Sequence, residues 1–438
     1  MSLVAGGVFW TVRALFALFP GFALRHPIKK YAAVAALLVG LIYMLLADFG
    51  AATERSYIMI AVMFFAILVD RPAISLRNLA ISAIMILIVT PEESTGASFQ
   101  MSFLAVMALV AFFEWWKARA IDVKAFGRPL WLQSLGKLWW WLVASVLTTL
   151  VAGGAFSIAA IYHFGRASPY GVIANGLALP ITEFLVMPEA LAAALLMPFG
   201  LEGWFLDVMH FGLWLTMQIS DVVSSWPGAN MMLAQPGFVG TGLLALGLYV
   251  ACMAARWIKL VGVLGMVVGL VLCAWGDRPQ ILVDERAGNV AIRDASGSLV
   301  LASATGGKFA VAKWLTNNGE TVSIPEAAQR LGWNCVEDSC FADVNGLQVA
   351  YLHKQEGLTD CPPVDIVIAD FPLRGACPDV KLRVDRFDVW RNGAHAIYID
   401  QGKVTVKTAK AEQGDRPWVF SPRKAIKIEI APVAQKGS

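Results

Sequence analysis

Apolar runs, most of them long enough to cross a bilayer, follow one another from the N-terminus to about Trp275 and then stop. Each crossing of a hydrocarbon core takes about 20 apolar residues of helix. A segment patterned in this way cannot close a single water-soluble core, and its backbone is satisfied in lipid only as helix. The runs are Ser2–Pro20, Tyr31–Ala47, Thr53–Val69, Leu76–Val89, Ala97–Trp116, Leu138–Tyr162, Tyr170–Met197, Trp204–Val223, Val239–Cys252 and Leu260–Trp275. They predict a polytopic α-helical bundle of about eight to ten spans over residues 1–276. No basic segment precedes Ser2 and no small-residue cleavage site follows Pro20, so the first run reads as a span rather than a removable leader.

The basic residues set the expected orientation. Arg25, Lys29 and Lys30 share one loop, Arg71 and Arg77 another, Lys117, Arg119, Lys124, Arg128 and Lys137 a third, and Arg256 and Lys259 a fourth. The alternate loops, around Asp48, Glu92–Glu93 and Arg166, are poor in Lys and Arg. With the basic loops cytoplasmic, the last helix exits on the far side and residues 277–438 are periplasmic. Trp115, Trp116 and Trp139–Trp141 flank the largest basic loop and read as interfacial anchors. Gly265 and Gly269, and earlier Gly153 and Gly154, predict close helix approach.

Polar side chains at bilayer depth are costly and mark candidate sites. Ser98, Gln100 and Ser102 open the fifth run. Asn175, Glu183 and Glu189 surround Pro180 and Pro188, where the prolines predict a broken helix lining a wet cavity. Glu54 and Arg55 read as a pair at an outer mouth, and Asp207 lies one turn before His210. For the Ser98–Ser102 set, ordinary interhelical hydrogen bonding is the bland alternative, and for Asp207 and His210 it is surface amphipathic packing.

After Asp277 the period changes to two. Gln280–Asp284, Asn289–Asp294, Ser298–Ala302, Gln348–His353, Val364–Asp370, Lys381–Val384, Ala396–Asp400 and Lys403–Lys407 predict strands, and Lys308–Asn317 and Ile324–Leu331 helices. This is a soluble α/β domain. It holds Cys335, Cys340, Cys361 and Cys377, for which the sequence leaves two disulfides in any of three pairings, free thiols or zinc open. The Cys335-x4-Cys340 spacing without a second close pair speaks against zinc. With only His353 and His395 and no HxHxD run, the expectation is no metal, no cofactor and no catalytic residue. Ile324–Trp333 has the look of a first helix of a helix-turn-helix, but no recognition helix follows it.

The run Pro91-Glu92 with Ser98-Phe99-Gln100-Met101-Ser102-Phe103-Leu104-Ala105-Val106 resembles the signature of the ComEC-type competence family. Leu3-Val4-Ala5-Gly6, Arg25-His26-Pro27-Ile28-Lys29-Lys30, Arg55-Ser56-Tyr57-Ile58-Met59, Asn175-Gly176-Leu177-Ala178-Leu179-Pro180 and Val186-Met187-Pro188 are similar to its further landmarks. In the tail, Asp360-Cys361, Val364–Ala369 and Asp385–Trp390 resemble the C-terminal domain of proteobacterial members. The resemblance implies a channel that passes single-stranded DNA across the bacterial inner membrane during natural transformation, with Arg55, Ser98, Gln100, Ser102, Asn175 and Glu183 in its polar core. It implies a tail that is a degenerate metallo-β-lactamase-like domain without metal ligands. It also implies an OB-fold part and further helices ahead of the family's core, which this sequence does not include. The partners expected are single-stranded DNA, membrane lipids, a DNA receptor outside, a cytoplasmic helicase motor and further copies of the chain. No GxxxxGK[ST] loop occurs in the sequence. The alternatives are a solute transporter with an accessory periplasmic domain, a tail-borne hydrolase, and a non-functional truncated paralogue.

Overall fold

The computed structural model describes residues 1–48, 50–119, 130–254, 256–274, 276, 278–353, 361–373, 376–400, 402–414 and 416. Part of the largest basic loop, with Lys124 and Arg128, lies outside these residues, as do Asp360 and the side chains of Lys137, Trp139 and Trp141. The chain divides into two compact units, Met1–Gly276 and Asp277–Ser438.

The first unit is helical. Its helices are α1 (Ser2–Ala17), α2 (Pro20–Arg25), α3 (Ile28–Leu46), α4 (Ala51–Leu68), α5 (Leu76–Val89), α6 (Ala97–Arg119), α7 (Leu130–Phe164), α8 (Gly171–Ile181), α9 (Met187–Leu196), α10 (Gly203–Ser224), α11 (Phe238–Met253) and α12 (Ile258–Ala274). Four helical stretches are long and apolar enough to cross a membrane: Ile28–Leu46, Ala97–Ala118, Val143–Phe164 and Gly171–Phe199. Shorter apolar helices accompany them, among them Leu76–Val89, Phe238–Met253 and Ile258–Ala274. From α3 to α8 each helix packs on its successor, α10 packs on α8 and α9, and α11 packs on α6, α7 and α12. Two short strands, β1 (Arg166–Ala167) and β2 (Met231–Met232), pair antiparallel and hold the end of α7 beside the segment that leads into α11.

Local sequence sets the boundaries. Ser75 caps α5 by accepting from the Asn78 amide, and Asn78 Nδ2 donates to the Pro72 and Ala73 carbonyls. The Pro180–Pro188 region corrects the expectation of a break. Helix runs on from Gly171, through a π turn at Thr182–Val186, into α9. The Met187 amide reaches back five residues to the Thr182 carbonyl, so the stretch between the two prolines is wound one residue wider than an α-helix.

Of the glycines expected to bring helices together, Gly269 does so, whereas Gly265, Gly153 and Gly154 do not. A Cβ at Gly262 would stand 2.5 Å from the Ala251 nitrogen, and one at Gly247 would stand 2.7 Å from the Gly262 oxygen. Gly240 and Gly269 are equally tight against the facing backbones. The seam of α11 against α12 therefore runs through Gly240, Gly247, Gly262 and Gly269, whereas Gly265 is in ordinary contact and Gly153 and Gly154 have nothing within 4 Å.

The second unit is a two-sheet sandwich. One sheet has the order β12-β11-β3-β4-β5, all antiparallel: β3 (Ile281–Val283), β4 (Val290–Arg293), β5 (Leu299–Leu301), β11 (His395–Asp400) and β12 (Lys403–Thr408). The other has the order β10-β9-β8-β7-β6: β6 (Asn334–Val336), β7 (Ser339–Val344), β8 (Leu347–Leu352), β9 (Ile366–Ala369) and β10 (Leu382–Val384). In it β8, β9 and β10 are parallel neighbours. Ile281, Val283, Val290, Ile292, Val349, Tyr351, Ile366, Ile368 and Ile397 fill the core between the sheets. Helices α13 (Lys308–Asn318) and α14 (Ile324–Ala328) cover the outer face of the first sheet through Val311, Leu315 and Ala327. Two short helices, α15 (Arg386–Asn392) and α16 (Ala409–Gln413), complete the unit. The α14 helix stops at Ala328, short of the expected Leu331, and β6 and β7 are strands that the sequence analysis did not assign.

Cys335–Cys340 and Cys361–Cys377 are disulfides. The first joins residues directly opposite each other on β6 and β7. The second links segment 361–377 to the core under the second sheet, with Cys377 beside Phe371 and Leu373. Closing a loop of this length removes about 3 kcal/mol of denatured-state entropy in the chain-entropy model. Cys377→Ser in the full chain is expected to make segment 361–380 a new cleavage site in limited proteolysis, while α13 and α14 stay protected. The Lys381 ammonium, 2.9 Å from Asp365 Oδ1, and the Gln348 amide hold the Asp365 carboxyl below its usual range. A depressed carboxylate contributes stability that is present above its unfolded pKa and lost as pH falls through the folded one. Asp365→Asn should therefore destabilise the tail at neutral pH, and thermal melts of the two proteins should converge as pH falls below the ordinary carboxylate range.

Candidate functional site

The start of α6 gathers the polar groups of the helical unit. A 3-10 turn, Pro91–Thr95, delivers the chain to Gly96, whose carbonyl accepts from the Gln100 amide as α6 begins. Arg55 stands one turn into α4, and its Nη2 donates to Ser98 Oγ at 2.9 Å. No ion pair joins Arg55 to Glu54 among the described residues, which corrects the expected pairing. Ser102 Oγ donates back to the Ser98 carbonyl at 2.9 Å, a local bond within the helix.

Gln100 joins two elements. Its Nε2 donates to the Ser94 carbonyl at 3.0 Å, and its Oε1 lies 3.0 Å from His163 Nε2. A backbone carbonyl only accepts, so the amide orientation is fixed, and His163 Nε2 carries the proton in this pair. His163 is at the end of α7, and Gln235 Nε2 donates to the carbonyl of its neighbour Tyr162 at 3.0 Å. The mouth so formed contains Arg55, Ser98, Gln100 and His163. Sequence reasoning missed His163 and Gln235. The signal for His163 was a polar residue ending an otherwise apolar run beside Arg166.

Arg55 Nη1 is buried and makes no hydrogen bond among the described residues. It borders a cavity of about 30 Å³ shared by Glu54, Ile58, Ile86, Thr90 and Glu93. That is room for one water. The carboxylates at its rim offset part of the guanidinium charge.

Below the mouth a cleft of about 570 Å³ opens between α5, α6, α7 and α11. Gln100 stands in its wall, and Phe99, Phe103, Tyr162, Phe238 and Tyr249 supply aromatic faces. The Phe99 and Phe103 rings are 4.4 Å apart. Most of the rest of the wall is aliphatic, with Thr241 the other polar side chain besides Gln100, Tyr162 and Tyr249, and no charged residue lines it among the described residues.

The helix order places the mouth on one face of the unit. The start of α6, the end of α7, the β1–β2 pair and Gly276, which lies against Gly237, share that face. The opposite face carries the 2.6 Å Lys30–Asp70 ion pair between two turns that hold basic residues.

Asn175 and Glu183 do not join the mouth. Both are exposed on the helix that runs from α8 into α9, and no hydrogen bond to other described residues involves either. The helix does not break at Pro180 and Pro188, so the expected basis for a cavity there, a broken helix, is not what the structure shows. Glu189 Oε2 is buried without a hydrogen-bond partner among them. Asp207 and His210 are exposed on α10.

In the tail, His353 Nδ1 pairs with Asp370 Oδ2 at 2.7 Å at the ends of the neighbouring strands β8 and β9. His395 is buried, and its Nδ1 donates to the Gly393 carbonyl at 2.8 Å. Burial pushes the His395 pKa down, which keeps the ring neutral and the Nδ1 proton in place. No group of three or more His, Cys, Asp or Glu side chains is placed to hold a metal among the described residues.

The family model described as Competence protein matches residues 1–258. No curated protein and no solved structure matches the chain.

Proposed function

The chain belongs to the competence protein family of ComEC type, whose role is in DNA uptake, and on that premise we propose that it passes single-stranded DNA across the bacterial inner membrane during natural transformation. The observation that carries this reading is the polar mouth set over an aromatic-lined cleft. Passage of a single strand needs weak, sequence-independent contacts: a cation for phosphates and ring faces for bases. Arg55 with the positive end of α6 supplies the first. Phe99, Phe103, Tyr162 and Phe238 supply the second.

The tail lies outside the cytoplasm in this reading. Two disulfides suit an oxidising compartment, and the helical unit ends at Gly276 on the face opposite the Lys30–Asp70 pair. We take the tail as a degenerate relative of the metallo-β-lactamase sandwich. Two facing sheets with helices on one outer side support that architecture. No catalytic step is assigned to it. A receptor outside hands over the strand, and a separate cytoplasmic motor draws it in, since the sequence carries no nucleotide-binding loop. Assembly of several copies remains part of the proposal.

Deletion in a transformable host, scored with labelled duplex DNA, tests the reading. DNA should accumulate outside the inner membrane while cytoplasmic strand and transformants disappear. Unchanged entry would overturn it. A transporter of apolar solutes is the second reading, favoured by the uncharged wall of the cleft. It predicts normal strand entry in the deletion.

A further inference from the structure

The hairpin formed by α8, α9 and α10 carries an acidic surplus. Between Arg166 and Arg256 the sequence holds no lysine or arginine, yet it carries Glu183, Glu189, Glu202, Asp207 and Asp221. Of these, Glu183 lies deepest, near the middle of the 29-residue stretch Gly171–Phe199. It stands on the π turn, at the level where the helices come closest: a Cβ at Gly212 of α10 would meet Val186 at 2.8 Å. That close approach fixes the inner side of the turn and leaves Glu183 and Phe184 outside, with Phe184 67% exposed.

Lipid is a poor cover for this face, because a carboxylate at mid-bilayer is among the costliest groups to expose to hydrocarbon. A second copy presenting the same face would set carboxylate against carboxylate. A passing polyanion would be repelled by it. The apolar window of Gly171–Phe199 is 11% buried within the chain, against 28% for Ile28–Leu46, so this stretch is the least covered of the four long ones.

We propose that the outer face of this hairpin docks a transmembrane helix of another protein that carries a lysine or arginine at the depth of Glu183. The basic side chain pairs with the Glu183 carboxylate, and Phe184 and Met187 pack against the apolar flanks of the partner. Interhelical polar pairs act in this way where no water competes. The inference requires that the hairpin lie in the bilayer and is independent of what the protein transports.

The full chain, with a photo-crosslinking phenylalanine analogue replacing Phe184, is reconstituted in liposomes with labelled polyleucine peptides of about 20 residues. One peptide carries a central lysine, one a central glutamate and one none. The lysine peptide should crosslink at least about fivefold more than the plain one. Glu183→Gln should abolish the preference, and Glu183→Lys should transfer it to the glutamate peptide. Equal yields from lysine and plain peptides, or a lysine preference that survives Glu183→Gln, would overturn the proposal. So would chain-to-chain crosslinks that dominate and are not displaced by the lysine peptide, which would assign the face to a second copy. The Glu183→Gln comparison stands even where Glu183→Lys fails to insert.

Discussion

Gly262→Leu and Gly247→Leu are each expected to abolish accumulation of folded protein. Helices α11 and α12 meet backbone to backbone, and any side chain at these positions must drive them apart. The Gly262 Cβ alone would stand 2.7 Å from the Gly247 oxygen, well inside contact distance. Overpacking of a fixed seam costs about 1–3 kcal/mol, and a four-carbon side chain against backbone lies at or beyond the upper end. The damage spreads, because α11 also forms one wall of the cleft and packs on α6 and α7. Gly265→Ala is the matched control. Its added methyl would sit 3.5 Å from the Gly247 Cα, an ordinary contact, and should leave accumulation unchanged. Membrane-fraction yield and detergent-solubilised size exclusion read both outcomes.

Arg55→Ala should reduce strand entry by at least about tenfold with the protein still present in the membrane. Hydrogen bonds that involve a charged group contribute about 1.5–3 kcal/mol, and about 1.4 kcal/mol is a factor of ten. Arg55 links α4 to the start of α6 and, among the described residues of the mouth, is the permanently charged cation. Arg55→Lys separates its two roles. The lysine keeps the charge but loses the fork that reaches Ser98. A large recovery with Lys assigns the defect to charge, and a small one to the α4–α6 link. Gln100→Leu should act differently, by releasing His163 and the end of α7, and should be only partly rescued by Gln100→Asn because the shorter amide cannot span Ser94 and His163 together.

The alternation of apolar and polar residues made eight of the tail strands legible, because period two survives wherever one sheet face is buried. The β6–β7 hairpin was less so. Asn334–Val336 is exposed along its length and has no buried face to impose alternation. The Asn345-Gly346 pair was the missed signal for β7: both residues have positive φ, as a two-residue turn requires, and they fix β7 against β8. In the membrane, Ser98 and Gln100 were visible as polar residues in an apolar run. Their partners were not, since no local rule connects Arg55 to Ser98 across 43 residues or Gln100 to His163 across 63. The prolines misled for a physical reason. Each forbids one α-helical hydrogen bond, but the helix continues, with a π turn between them. Asn175 and Glu183 were grouped with the mouth through the expected helix break and the family resemblance, and the structure leaves both exposed on the helix that runs from α8 into α9, away from Gln100 and Arg55.

The most direct measurement of strand passage is crosslinking of DNA in transit. A photo-crosslinking analogue replaces Phe103 in the cleft, and, as a control, Leu264, which is 63% exposed on α12. Transforming DNA labelled on either strand is supplied to cells that carry each variant. One strand should crosslink at position 103 during uptake and not at 264. Normal strand entry with no crosslink at 103, or equal crosslinking at both positions, would contradict passage of DNA through this cleft.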